Sequence, residues 1–309
     1  MPIREHPEFQ WSLSRHKILL ECLFRYWLSY YASHNGWLRD SDTTTKHIYR
    51  LKKMTNLEML LGELVHEYIE KIIKSDFNRH LINKKVMFAS IWGDIEEVME
   101  KSYRDYNRWY ENPSKNKMLH EVYYENEIAP EKVQNLEEKL KQIVHNFMEN
   151  KTFEEMVSRK VYIAKDTESF RYMKKGDIKI WLKMDLHYFD PMTNKRAILD
   201  WKTGNSNQAD RSQLALYAHY ISTLYKISDL DNIEIRNEYL LTDESKSYKL
   251  KKIDIDNMRE LTDLSIAHMQ SYLLDIEKNI PLDEAYFQKT NNQSVCSRCN
   301  FREICKINH

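Results

Sequence analysis

Two runs of alternating residues, joined by a turn, constrain this chain more than anything else in it. Residues 196–203 read as a strand closed by Gly204. Side chains alternate between the faces of a strand, so Asp200 and Lys202 share one face while Leu199 and Trp201 share the other. Residues 179–189 read as a second strand, rich in aromatic and branched side chains. Asp190, Pro191, Met192, Thr193, Asn194 and Lys195 lie between them, a turn by composition. An antiparallel hairpin centred between Met192 and Thr193 opposes Asp185 to Asp200. Directly opposed residues on one face have Cβ atoms about 4.5–5.5 Å apart. Two carboxylates that close repel unless a cation lies between them, and hard oxygen ligands suit Mg²⁺ or Mn²⁺. A slip of one residue would send one acid to the other face. An Asp-x-Lys triplet alone is most often a charged outer face of a strand, so its companions decide the reading.

One companion lies downstream, where Asp210 is placed as the N-cap of a helix carrying Gln213 and Tyr217 on one face. Upstream, Leu57, Leu60, Leu61, Leu64, Val65 and Ile69 give a helix over residues 56–75 that carries His66. Glu63 and Glu67 flank it on the same helix, where a histidine is usually a plain surface or core residue. At the other end of the chain, Cys296, Cys299 and Cys305 put a C-x-x-C unit and a third thiol close together. Cys22 is the only other cysteine. Taken alone Cys22 reads as a core thiol; taken together the four suit a [4Fe–4S] cluster or a structural Zn²⁺, which spacing does not separate.

Asp185, Asp200-x-Lys202 and Gln213-x-x-x-Tyr217 together resemble the PD-(D/E)xK nuclease superfamily in its RecB-like branch. Gly62 to His66 resembles that branch's upstream histidine motif, and the four cysteines resemble its iron–sulfur subset, which includes CRISPR-associated RecB-like nucleases and AddB-type subunits. The resemblance implies an α/β fold with a restriction-endonuclease-like mixed β-sheet core flanked by helices. It implies a metal-dependent DNA nuclease, a single-strand-preferring exonuclease, with Mg²⁺ or Mn²⁺ held by His66, Asp185, Asp200 and the backbone carbonyl of Trp201. Lys202 then serves the attacking water, Gln213 and Tyr217 position Lys202 and the strand end, and the Trp201 ring packs in the core. Cys22, Cys296, Cys299 and Cys305 hold the cluster and clamp the two ends of the chain together. The expected partners are DNA with a free end and a helicase or other DNA-processing subunit. One departure stands out: the family often has glycine two residues before the first aspartate, where this chain has Lys183. Rival readings are a non-catalytic DNA- or helicase-binding module of the same fold, a restriction-type endonuclease, and a zinc protein with an accidental Asp-x-Lys.

The chain divides on this reading into an N-terminal helical part (1–55), a core helix (56–84), a helical insertion (85–155), the nuclease core (156–285) and a cluster-binding tail (286–309). A continuous helix is expected over residues 11–34, capped by Ser12 or Ser14; a helix opened by Pro130 over 130–149; strands near 160–164 and 233–241; and a final helix over 256–279. Tyr103, Tyr106, Trp109 and Tyr110, with Arg104 and Arg108, read either as an amphipathic helix or as a base-stacking face. Five glycines and six prolines with 30% charged residues describe a folded, helix-rich chain. Neither a membrane span nor a signal peptide is expected, which points to the cytoplasm and to reduced thiols. Lys plus Arg (47) equal Asp plus Glu (47), so a DNA-binding protein of this composition needs a local basic path or a partner that supplies grip.

Overall fold

The computed structural model describes residues 4–165, 167–207 and 209–305. The chain opens with β1 (Gln10–Ser12) and α1 (Leu13–Glu21), and the Ser12 hydroxyl caps α1 by accepting from the Arg15 N–H at 3.2 Å. The continuous helix expected over residues 11–34 is broken at Cys22, whose backbone is extended (φ −165°, ψ 115°). Its sulfur accepts from the Arg25 N–H and so caps a new helix, α2 (Leu23–Trp27), which runs into a π turn over Leu28–Ala32. The apolar period survives the break because both halves bury the same side. A further helix, α3 (Thr43–Lys52), starts at an Asp42 cap that sequence reasoning had not used.

The helical layer that follows is α4 (Leu57–Lys74), α5 (Lys84–Arg104), α6 (Tyr106–Glu111), α7 (His120–Glu125), α8 (Pro130–Met148) and α9 (Lys151–Arg159). Asn56 caps α4 and Pro130 opens α8, where a missing N–H costs nothing. Leu60, Val65, Ile69, Ile91, Leu140 and Phe147 of this layer pack together against one face of the main sheet. Trp109 is 1% exposed and meets Tyr123 edge-on, so it is core and not a stacking platform. Tyr110 lies under the Arg50 guanidinium, and Tyr103 accepts from the Ile128 N–H, which favours the amphipathic reading.

Strands then alternate with turns: β2 (Tyr162–Ile163), β3 (Phe170–Lys175), β4 (Ile178–Lys183), β5 (Leu186–Asp190) and β6 (Lys195–Lys202). Helix α10 (Ala209–Leu224) crosses over to β7 (Ile233–Tyr239), which turns back into β8 (Glu244–Tyr248). The main sheet has the order β2-β5-β6-β7-β8, antiparallel except for the parallel β6–β7 pair. Its second face, with Ile198, Ile233 and Ile235, packs on Leu214, Ala218 and Ile221 of α10. Helix α11 (Lys252–Gln270) lies against α10 and adds Met258 and Ile266 to that core. A mixed sheet is thus held between two helical layers.

The run over residues 179–189 is not one strand. β4 pairs with β1 and β3 in a separate three-stranded sheet, β5 belongs to the main sheet, and Met184 and Asp185 form the bend between them. The final helix stops at Gln270 rather than 279, and β9 (Leu273–Asp275) and β10 (Ile280–Pro281) form a small hairpin. Buried Asn279 fixes that hairpin: its side chain donates to the Pro7 carbonyl at 2.7 Å and accepts from the Tyr31 hydroxyl at 3.0 Å. The short helices α12 (Gln293–Cys296) and α13 (Arg302–Cys305) close the described tail. No helix among the described residues is long and apolar enough to cross a membrane.

Candidate metal and active site

The site forms where β4 bends into β5, beside the end of β6. In the β5–β6 ladder Leu186 opposes Leu199 and His187 opposes Ile198, so the hairpin is centred between Met192 and Thr193. Asp185 is the next residue beyond the last paired rung, opposite Asp200. At the bend it no longer belongs to the ladder, and its Oδ2 accepts the Trp201 N–H at 2.8 Å. Asp200 and Lys202 lie on the α10 side of β6. The Trp201 ring turns to the other side, 1% exposed and edge-on to Phe147.

Asp200 is 1% exposed and fully partnered. Its Oδ1 accepts from Gln213 Nε2 at 3.0 Å; its Oδ2 accepts from Asn237 Nδ2 at 3.2 Å and pairs with Lys202 Nζ at 2.5 Å. The Gln213 carboxamide also accepts from Lys202 Nζ at 3.2 Å and donates to the Tyr217 hydroxyl at 2.6 Å. Tyr217 in turn donates to the Lys183 carbonyl at 2.5 Å, tying α10 to the end of β4. One helical turn separates Gln213 from Tyr217, which lets a single face of α10 reach both strands.

Asp210 lies in the first turn of α10 rather than at its N-cap. Its carboxylate reaches back to the Asn207 N–H at 3.0 Å, accepts from the Tyr239 hydroxyl at 3.0 Å, and stands 4.0 Å from Lys202 Nζ. His66 comes from α4, with Nδ1 at 3.4 Å from Asp185 Oδ2. Gly62, one turn earlier, permits that approach: a Cβ there would stand 3.1 Å from the Thr203 hydroxyl at the end of β6. Glu63 instead pairs with Lys117, and neither it nor Glu67 joins the ligand cluster.

Two residues of the site escaped the sequence reading. Asn237 opposes Asp200 across the parallel β6–β7 pair. The signal was present, since Asn237 alternates with Ile233 and Ile235 on the apolar face of its strand. Glu168 lies just before β3, and its carboxylate pairs with Lys183 Nζ at 2.6 Å. His66, Glu168 and Asp185 offer ligand atoms that all lie within 4.8 Å of one another, the one such group of three among the described residues.

Negative charge dominates this site. Burial opposes a charge on His66, yet Asp185, Asp200 and Glu168 outweigh it and raise the imidazole to about 9. Burial and then the charge of Asp185 push the Asp200 carboxyl up, against the pull of Lys202. Burial also works against the Lys202 ammonium, but Asp200, Asp185 and Asp210 hold it above the usual lysine range. Tyr217 is raised well above the phenol range by burial and by Asp200 and Asp185. Crowded carboxylates with too few cations among them are what a divalent ion would satisfy.

The four cysteines meet elsewhere, outside any disulfide, around one cavity also lined by Phe24, Arg25, Val295 and Phe301. The Arg25 N–H points at the Cys22 sulfur (3.4 Å) and the Phe301 N–H at the Cys299 sulfur (3.5 Å). Burial raises the Cys299 thiol, with Cys22 and Cys305 adding to it. Thiolates on one zinc ion lie about 3.8 Å apart, from Zn–S bonds of about 2.3 Å. Among the described residues no three of these sulfurs come within 4.8 Å of one another.

A family model described as the PD-(D/E)XK nuclease superfamily matches residues 10–306. A search of the curated proteins finds no match.

Proposed function

Because the chain belongs to the PD-(D/E)XK nuclease superfamily, with its mixed α/β restriction-endonuclease-like fold, we propose that it hydrolyses phosphodiester bonds of DNA. The reading specifies a Mg²⁺- or Mn²⁺-dependent exonuclease that acts on single strands with a free end. The observation that carries it is the Asp200–Lys202 pair, buried on one face of β6 and bridged by Gln213, with Asp185 at the bend beside it. Asp185, Asp200, His66 and the Trp201 carbonyl are the proposed ligands. A bound ion there lowers the pKa of water and polarises the phosphoryl oxygen. Lys202 presents its ammonium where charge develops, orients the attacking water and stabilises the pentavalent phosphate. Gln213 holds Lys202 in that place, and Tyr217 holds the end of β4.

Support for a single strand comes from a groove that reaches the site. Arg15, Lys17, Phe170 and Trp181 line it, and it ends at Gln213 and Tyr217. Phe170 is 71% exposed and shares the groove with Arg15 and Lys17, and exposed rings with cations nearby receive unstacked bases and their phosphates. Equal numbers of acidic and basic residues leave part of the DNA grip to a partner, for which a helicase or other DNA-processing subunit is the proposed class. Cys22, Cys296, Cys299 and Cys305 are the proposed holders of a [4Fe–4S] cluster that clamps the chain ends and contributes folding energy.

End-labelled single-stranded and duplex DNA, incubated with Mg²⁺, Mn²⁺ or EDTA, tests the reading. The expected result is metal-dependent ladders from an end, faster on the single strand. Discrete internal bands would instead indicate a restriction-type endonuclease, and no cleavage with either metal a binding module.

A further inference from the structure

We propose that Glu168 is a ligand of the divalent cation, completing a site with His66 and Asp185, and that the Lys183 ammonium stands in for that cation in the metal-free protein. The inference rests on the nuclease reading above and specifies its metal shell.

Three separate elements deliver the ligands: His66 from α4, Asp185 from the β4–β5 bend, and Glu168 from the segment before β3. The last is positioned by backbone, because the Glu168 N–H donates to the Met184 carbonyl at 2.8 Å and Thr167 bridges Met184. β3 then pairs with β4 from Phe170 opposite Lys183, which brings Glu168 alongside the residues that lead into Asp185. All three ligand atoms lie within 4.8 Å of one another. An octahedral ion with bonds of about 2.1 Å sets cis ligands about 3 Å apart and trans ligands about 4.2 Å apart. A trans pair therefore needs to close by no more than about 0.6 Å, and a cis pair by no more than about 1.8 Å.

The Glu168 carboxylate is poorly served without an ion. Its side chain is 2% exposed, and Oε2 accepts no well-directed hydrogen bond. Lys183 Nζ lies beside it at 2.6 Å, on a side chain that is 40% exposed. Buried carboxylates are retained where they pair well or bind metal. Asp200, a proposed ligand in that reading, already has Lys202, Gln213 and Asn237 around it, so the ion matters most to Glu168. Lys183 occupies the position where the family often has glycine, and a mobile ammonium there can leave Glu168 when a stronger cation arrives. The imidazole nitrogen makes Mn²⁺ a better fit than Mg²⁺.

The test is Mn²⁺ binding without DNA, read from the free-ion signal in electron paramagnetic resonance, on the full-length protein. Glu168→Gln should weaken Mn²⁺ by about tenfold or more. Lys183→Met, which removes the competing ammonium, should tighten it severalfold. Wild-type affinity in a folded Glu168→Gln protein overturns the assignment. Should that variant fail to fold, Lys183→Met decides, and unchanged or weaker binding there overturns it. Asp185→Asn separates the two levels: loss in Asp185→Asn with none in Glu168→Gln removes Glu168 alone. Wild-type affinity in Asp185→Asn would bring down the metal-dependent reading itself.

Discussion

Replacing Gln213 with leucine removes one carboxamide and little volume, so it isolates the hydrogen bonds that hold the site. Three bonds go: to Asp200 Oδ1 (3.0 Å), from Lys202 (3.2 Å) and to Tyr217 (2.6 Å). A bond to a buried ionised group contributes about 1.5–3 kcal/mol, and a neutral one about 1 kcal/mol. The Lys202 bond counts for less, because that side chain is 23% exposed and regains water. Asp200 keeps Lys202 and Asn237, and the buried leucine offsets part of the loss. The net expectation is a loss of about 2–3 kcal/mol, seen as a melting shift of roughly 3–5 °C for a chain of this length. Catalysis should suffer in a particular way. Lys202 loses the group that aims it, so kcat should fall about 10- to 100-fold, equivalent to about 1.4–2.7 kcal/mol, with KM for DNA nearly unchanged. Gln213→Glu should be worse than leucine, since it sets a second carboxylate against Asp200. Thermal melts and steady-state cleavage of a labelled single strand measure both. A leucine variant with wild-type melting and kcat within twofold of wild type would refute the role given to Gln213.

The other predictions concern the clamp, the groove and a half-buried imidazole. Purified protein should be brown, and Cys22→Ser should lose iron and melt lower, because a cross-link between Cys22 and the tail closes a loop worth about 5 kcal/mol of chain entropy; a colourless protein with stoichiometric zinc would reject the cluster. Phe170→Ala should weaken binding of single-stranded DNA by about 1–3 kcal/mol in fluorescence anisotropy while leaving the melting temperature unchanged, and equal affinity would remove the ring from the DNA path. His16 is held below the usual histidine range by burial and then by His268 and Lys17, and its Nδ1 lies 2.8 Å from the Ser265 hydroxyl that accepts the Trp11 N–H. The unfolded chain takes up that proton near pH 6.5 while the folded protein resists it, so stability should fall as pH drops below about 6.5. Melts at pH 7.5 and 5.5 should show a smaller drop in His16→Phe than in wild type.

Local rules carried much of this molecule. The register of the β5–β6 hairpin followed from the turn and the alternation of Asp200, Trp201 and Lys202, because a slip of one residue would send one acid to the other face. Helix α4 followed from its apolar period. What local rules missed depended on partners far along the chain. Nothing in the apolar run over 179–189 announces that its halves enter different sheets, since β4 is claimed by β1 and β3. Glu168 was illegible because only β3–β4 pairing brings it beside Asp185. Asn237 was legible in principle, as a polar residue on an apolar strand face, but its role needed the β6–β7 order. The break at Cys22 hid inside a helical period because the cap there is a sulfur, a group not usually read as one.

The central claim is that Asp200 and Lys202 act on a metal-bound phosphodiester. Its most direct test is cleavage of an end-labelled single strand in Mn²⁺ by wild type, Asp200→Ala and Lys202→Ala, with folding of each checked by circular dichroism. The account predicts that wild type cuts with Mn²⁺ and not with EDTA, and that both folded variants are inert. Metal-dependent cutting by either variant at the wild-type rate would contradict it.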